Sequence, residues 1–313
     1  MPSINPGPQE PEMHNSPYGL LQAFDGLVLR YGIWPVRAVR SDGTVVLLGG
    51  HSEFMEKYLP TIEELNAHGL DVVSLDWRGQ GLSGRVPPNS QKGYVPCYEH
   101  YISDLKLLLH RIVLPRRGRP LIFLAHSMGG HIALRYLAKF SASVDKAILT
   151  GPMIKIKLSP LSEMVLRRIS GLMTRAAKGS VGLPTVLVPD SYGGPFRFNR
   201  LTSDADRFYA IRRMLAANPR LKATKINFGW LAATFQSIDA LQNRDFVETI
   251  STPVLMVLAG REHVVCNQAA YRFTSRLPNH RVETIQGALH EILQERESYR
   301  RQFWSAFDAF IKH

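Results

Sequence analysis

The stretch from Pro120 to Phe140 limits the fold of this chain more than any other. Leu121-Ile122-Phe123-Leu124-Ala125 is a bulky apolar run with no polar break, which spells a strand buried on both faces. Met128, Ile132, Ala133, Tyr136, Leu137 and Phe140 then recur at helical spacing, so an amphipathic helix follows almost at once. One serine, Ser127, stands in the turn, with Ala125 two residues before it and Gly129 two after. A chain that turns straight from strand to helix at a serine needs small neighbours. They let that residue hold a strained conformation and keep its hydroxyl open at the helix N-terminus. Such a turn presents a nucleophile. The plainer alternative is a tight structural turn, which a buried strand on one side and a helix on the other make the weaker reading.

With 313 residues, the chain can form one large α/β domain with an insertion, or two domains. No stretch approaches the roughly 20 apolar residues of a membrane span. Residues 1–18 are polar and proline-rich, with no basic start and no apolar segment, unlike a signal peptide or an anchor. Two cysteines, Cys97 and Cys266, make neither a disulfide framework nor a metal set and read as small apolar fillers, so no metal or other cofactor is expected. A cytoplasmic protein is the expectation, with peripheral membrane contact as an addition that the charge suggests. The net charge is +12, and between residues 152 and 245 fifteen Lys and Arg face six Asp and Glu. An excess of this kind suits an anionic membrane surface, and it equally describes a solvated helix face. No nucleic-acid-binding signature accompanies it, so nucleic acid is not an expected partner. Nothing in the sequence fixes the oligomeric state.

Taken in order, residues 1–20 read as a loose arm. Residues 27–33 and 36–39 are candidate first strands at an antiparallel edge, and Thr44-Val45-Val46-Leu47-Leu48 is a buried strand that runs into Gly49-Gly50-His51-Ser52-Glu53. A helix over residues 54–67, a strand over 71–76, a helix over 98–113, the central strand and helix, and a strand over 146–150 follow. This alternation predicts an α/β fold with a mostly parallel sheet flanked by helices on both faces. The rhythm breaks at Gly151-Pro152. Helices are predicted from Ser159-Pro160 onward and over 204–217 and 228–241, with a Gly/Pro-rich loop between the first two, so residues 152–245 read as an inserted helical cap. Core strands resume at 253–258 and 281–285, and a helix closes the chain. The core is therefore residues 21–151 with 246–313.

A serine hydroxyl attacks only when a base takes its proton, and the base must be oriented by an acid. In a sheet of this kind those groups sit on loops beyond the C-terminal ends of strands. Two late loops qualify. Glu262 follows strand 253–258 and His290 follows strand 281–285, so Ser127, Glu262 and His290 come in a workable order. Asp239 and Asp245 are fallback acids, placed before the strand rather than after it. His126 and His131 read as packed or hydrogen-bonded residues, His263 as an exposed loop residue, and Asp76 and Arg78 as loop-fixing groups. Glu53 reads as a helix-start residue.

On these stretches the chain resembles the α/β-hydrolase branch that contains bacterial lysophospholipases and monoglyceride lipases. The likeness runs over about residues 25–312. It rests on Gly49-Gly50-His51-Ser52-Glu53 with Tyr58, Asp76-Trp77-Arg78-Gly79-Gln80-Gly81-Leu82-Ser83-Gly84, Ala125-His126-Ser127-Met128-Gly129-Gly130, Gly260-Arg261-Glu262-His263-Val264-Val265 and Gly287-Ala288-Leu289-His290-Glu291-Ile292-Leu293. In the cap, Arg200-Leu201-Thr202-Ser203 and Arg207 lean toward the lysophospholipases. The resemblance implies Ser127 as nucleophile, Glu262 as acid and His290 as base, with an oxyanion hole from the backbone N–H groups of His51 and Met128. The chain departs from the family pattern at Ala125, at Gly49, and at Glu262, where many relatives carry the shorter Asp. Substrate contacts are expected at Gly50, His126, Met164 and Trp230.

The function that follows is a cofactor-free serine hydrolase cleaving esters of single-acyl-chain lipids, lysophospholipid first and monoacylglycerol second. Apolar cap residues, among them Leu161, Met164, Val165, Leu172, Met173, Phe228, Trp230 and Phe235, could line an acyl tunnel or simply form the cap's own core. A general carboxylesterase or acyltransferase would keep the same fold and triad. A non-catalytic ligand-binding protein on this fold is a third reading, which the complete set of Ser, Glu and His opposes.

Overall fold

In a computed structural model of the protein, residues 16–38, 40–85, 93–116, 120–184, 192–222 and 226–312 are described. The central run is strand β5 (Leu121–His126), and every one of its residues is buried. Around it lie β1 (Tyr18–Gln22), β2 (Val28–Trp34), β3 (Gly43–Leu48), β4 (Leu70–Leu75), β6 (Lys146–Thr150), β7 (Val254–Ala259) and β8 (His280–Ile285). They make one eight-stranded sheet in the order β1-β2-β4-β3-β5-β6-β7-β8. β1 and β2 pair antiparallel, as do β2 and β4, and all other pairs are parallel. Parallel strands need crossover connections, and helices supply them. In the sheet-flanking layers these are α1 (Leu59–Ala67), α2 (Glu99–Leu108), α3 (Met128–Phe140) and α8 (Asn267–Thr274), and α9 (Glu297–Ile311) packs beside them after the last strand.

The alternation of side chains along each strand divides the core in two. Val46, Leu48, Phe123 and Ala125 belong to one apolar cluster, with residues of α2 and α3. Val45, Leu47, Ile122 and Leu124 belong to the other, with α1 and α9. Completely burying such side chains stabilises the fold by about 1.5–3 kcal/mol each. Two edge expectations change. Pro35 follows β2 directly and has no N–H for a ladder, so residues 36–38 leave the sheet, and the Val36 N–H bonds the Asp71 carboxylate at 2.8 Å. The edge strand is instead β1, which begins at Tyr18, within the segment read as an arm; residues 1–15 lie outside the described residues.

Between β6 and β7 stand α4 (Pro160–Arg175), α5 (Ala205–Ala217), α6 (Phe228–Leu241) and the short α7 (Arg244–Glu248). Ser159 caps α4 by accepting from the Ser162 N–H, and Asp204 and Asn227 cap α5 and α6 in the same way. α6 is buried along most of its length. α4 is turned the other way. It packs on α6 through Leu166, Arg167 and the fully buried Ser170, with Arg167 lying over the Phe235 ring and forking onto Asp239 at 2.8 and 2.9 Å. Its outward face carries Leu161, 67% exposed, and Leu172, 63% exposed, with Met164, Val165 and Ile169 between them. Met164 and its neighbours therefore do not line the interior that the sequence reading gave them.

Glycine is demanded where α3 meets the end of β3. A Cβ on Gly129 would press into the carbonyl oxygens of Leu48 and Gly49, whereas one on Gly171, in α4, meets nothing within 4 Å. Gly129→Ala is expected to lower stability by about 1–3 kcal/mol through overpacking, and Gly171→Ala to raise it by up to about 1 kcal/mol through helix propensity. Chemical denaturation of the two variants beside wild type checks both signs.

Candidate active site

Ser127 joins β5 to α3 with φ 50° and ψ −112°, a strained combination for a residue with a side chain. Three backbone bonds hold it there. Its N–H donates to the Thr150 carbonyl at 3.0 Å, and its own carbonyl accepts from Met153 at 3.0 Å and His131 at 3.1 Å. Ser127 is 9% exposed, and its Oγ lies 3.0 Å from Nε2 of His290. Nδ1 of His290 lies 2.8 Å from Oε2 of Glu262. With Nδ1 protonated toward the carboxylate, Nε2 is left to accept the serine proton. The longer glutamate reaches the imidazole because its other oxygen is anchored to its own loop. Oε1 accepts from the Val264 N–H at 2.7 Å and the Val265 N–H at 3.3 Å.

Burial is the strongest single influence on His290 and favours the neutral ring, but the charge and hydrogen bond of Glu262, with the charges of Glu291 and Glu53 behind it, together raise its pKa above the usual 6.5. Burial likewise favours a neutral Glu262, and His290 with the two amide donors overcomes it, so the carboxyl sits below its ordinary range. Asp239 pairs with Arg167 on the exposed side of α6, away from His290. The side chain of Asp245 lies outside the described residues.

Met128 is the first residue of α3, so its N–H is among those with no partner inside the helix. The close contact at Gly129 brings the loop after β3, which carries His51, against that helix start. The loop is fixed further by Trp77, whose indole N–H donates to the Gly49 carbonyl at 2.8 Å. Of the expected substrate contacts, Trp230 is brought to this loop, its ring 4.2 Å from that of His51. Gly50 is committed, its N–H donating to the Glu53 carboxylate. His126 is also internally satisfied. Its Nδ1 faces the Thr150 carbonyl at 3.0 Å, its ring lies 4.8 Å from that of His290, and burial pushes its pKa down to about 3. His131, between the Met153 carbonyl and Ser237 of α6, is likewise neutral, at about 3, through burial.

Asp76 accepts from the Met55 and Leu82 N–H groups, both at 2.9 Å, and Arg78 pairs with Asp104 at 2.6 Å, so both fix loops as expected. His263 is exposed, also as expected. Cys97 lies 3.2 Å from Nδ1 of His100 and Cys266 stands at the start of α8, both partly exposed rather than packed as fillers.

Sequence reasoning missed a buried charge cluster. Glu53, read as a helix start, accepts from Lys57 and Tyr58 as well as Gly50. Lys57 reaches Glu291, the residue after His290, at 2.7 Å, and Tyr192 donates to Glu291 at 2.5 Å. Burial opposes the charge on Lys57, yet Glu291 and Glu53 together raise its pKa. The available signal was a lysine four residues beyond a glutamate beside the site, which also describes an ordinary exposed helical pair. Among the described residues no group of three or more His, Cys, Asp and Glu is arranged to hold a metal ion.

The Hydrolase_4 family model, described as serine aminopeptidase, S33, matches residues 39–297. The chain belongs to this family. It is an α/β-hydrolase of the serine-hydrolase type, similar to lysophospholipases and monoglyceride lipases. It is 30% identical to lysophospholipase L2 of Escherichia coli strain K12, over 89% of this chain and 85% of that protein. It is 28% identical to a probable lysophospholipase L2 of Haemophilus influenzae, over 91% and 88%. Among solved structures, a soluble variant of Saccharomyces cerevisiae monoglyceride lipase superposes with a TM-score of 0.75 at 20% identity, covering 98% of this chain and 99% of that one. In this member of Hydrolase_4, the hydrogen-bonded row of Ser127, His290 and Glu262 stands on the loops after β5, β8 and β7.

The electrostatics predict a titration pattern. His290 should protonate above pH 6.5, while His126 and His131 stay neutral down to about pH 3. In Glu262→Gln the largest of the influences opposing burial is lost, so the His290 pKa should fall. Histidine-ring NMR across a pH series reads each value directly.

Proposed function

We propose that this protein is a carboxylic ester hydrolase acting on lipids with one acyl chain, lysophospholipids first and monoacylglycerols second, through an acyl-enzyme on Ser127. The observation that carries this reading is the relay of 3.0 and 2.8 Å from Ser127 through His290 to Glu262. His290 Nε2 takes the proton as Ser127 Oγ attacks the ester carbonyl, and Glu262 stabilises the imidazolium that forms. The N–H groups of His51 and Met128 receive the developing oxyanion; donors of this kind are worth about 3–4 kcal/mol each to the transition state. His290 then gives its proton to the departing alcohol, and water activated at the same nitrogen releases the fatty acid. The names of the bacterial relatives, lysophospholipase L2, support the lipid class.

In this reading residues 152–245 form the cap over the site, and Trp230 and His51 line the approach to Ser127. The outward apolar face of α4, with Arg168 and Arg175 exposed among its leucines, supports peripheral docking of a cytoplasmic protein on an anionic bilayer. No helix of the described residues is long and apolar enough to cross a membrane.

Ser127→Ala should lower ester turnover by up to about a millionfold and abolish labelling by a fluorophosphonate probe. Glu262→Gln should cost about 10³–10⁴-fold in kcat with little change in KM, and Asp239→Asn should be near neutral. Retained turnover in Ser127→Ala would remove the assignment.

Docking makes a separate prediction. Arg167 is tied to Asp239 and Glu163 and contributes little free charge. Changing Arg168, Arg175 and Lys178 to Gln should weaken binding to anionic vesicles by about 1 kcal/mol per residue and remove its salt dependence, leaving turnover of a short dissolved ester unchanged. Vesicle sedimentation at low and high salt, beside an esterase assay, checks this.

A further inference from the structure

Beside the relay lies an open cleft of about 380 Å³ lined by Lys157, Asn199, Arg200, Arg261, His263 and Leu289. Its position follows from the chain. Arg261 and His263 flank Glu262, and Leu289 precedes His290. Lys157 reaches across from the segment after β6, its ammonium 2.6 Å from the Glu262 backbone carbonyl. The loop that carries Arg200 is held by Asn199, whose side-chain amide donates to the Thr202 carbonyl at 2.9 Å and whose side-chain oxygen accepts from the Leu201 N–H at 2.8 Å.

Among the described residues no carboxylate lines this cleft. The nearby acids are occupied elsewhere. Glu163 pairs with Lys155 at 2.9 Å, Glu295 accepts from Leu289 and Ser203, and Glu291 is held by Lys57 and Tyr192. Three cations and an imidazole thus converge on a concave surface with nothing negative among them. An ordinary solvated patch mixes signs or spreads its charge. One that gathers a single sign in a cleft repels itself and draws in anions. Arginine forks and a lysine ammonium are the donors that suit phosphate oxygens.

We propose that this cleft seats the phosphodiester of a lysophospholipid headgroup while the ester lies at Ser127, and so selects phosphate-bearing over neutral single-chain lipids. The proposal rests on the ester-hydrolase reading and goes further, assigning a headgroup site and the residues that set substrate preference. The glycerol unit is the only spacer between the two ends of such a substrate, which agrees with a cleft walled by the immediate neighbours of Glu262 and His290.

The test compares wild type with Arg200→Gln/Arg261→Gln on two substrates of the same short acyl chain, a lysophosphatidylglycerol and a monoacylglycerol, both below their micelle concentrations so that no lipid surface contributes. The double variant is expected to lose at least about tenfold in kcat/KM for the lysophospholipid, mostly in KM, since a hydrogen bond to a charged group is worth about that much. Monoacylglycerol turnover should stay within about twofold. Equal loss on both substrates, or none on either, would overturn the proposal. Inorganic phosphate is the second arm. If it inhibits wild type through these arginines while the double variant keeps its lysophospholipid kcat/KM, the cleft binds free phosphate and the headgroup assignment is wrong. Calorimetry on Ser127→Ala, with and without the two arginine changes, reads the same preference as affinity. It decides the matter even if the protein hydrolyses neither lipid, an outcome that would count against the ester-hydrolase reading alone.

Discussion

Everything at the site depends on how closely the first turn of α3 approaches the end of β3. Gly129 rests against the Leu48 and Gly49 carbonyls with no room for a side chain. That contact sets the distance between Met128 and the loop of His51, and it presses against the same turn that holds Ser127 at φ 50°. A strained residue persists only where its surroundings over-determine it. Here the carbonyl of Thr150 and the amides of Met153 and His131 do so, drawing on β6, the chain just beyond it and α3. The nucleophile is thus positioned by the sheet, and the loops bring the other groups to it.

A second layer of control is electrostatic. The loop after β3 and the loop of His290 are joined beneath the site by one buried cation, Lys57, set between Glu53 and Glu291. Buried ion pairs contribute little net stability, because desolvation offsets most of their attraction, but losing one partner leaves a costly bare charge. The arrangement therefore acts mainly on geometry. It discourages the two loops from moving apart. The cluster also reaches the imidazole that matters for proton transfer: after Glu262, the charges of Glu291 and Glu53 help to raise the His290 pKa against burial.

The sheet and its relay were legible because they are local signals. Buried strands announce themselves as apolar runs, and Ser127, Glu262 and His290 each follow one within a few residues. The helices after β6 were legible too, α4 from its Ser159-Pro160 start and α5 and α6 from their helical patterns. What could not be read was orientation. The 3.6-residue period of α4 shows that Leu161, Val165, Ile169 and Leu172 share a face, but not that this face points outward, since that depends on Arg167 finding Asp239 on a helix about seventy residues away. The same limit hid Lys57, whose second partner, Glu291, lies more than two hundred residues along the chain. Without such information, spacing alone cannot tell that Met164, an expected substrate contact, stands exposed. Pro35 shows the opposite case, a local signal that outranks the apolar residues on both sides of it.

The mixed underside of α4 has a thermodynamic consequence. Lifting this helix from α6 breaks a charged fork onto Asp239, uncovers Ser170, and wets Leu166 and the Phe235 ring. Heat capacity and denaturant sensitivity both scale with the surface newly wetted. One helix face is a small part of what unfolding of the sheet exposes, so such an opening would leave a small trace in a calorimetric scan and respond to urea less than global unfolding does. Because an ion pair opens with it, its equilibrium would also shift with ionic strength.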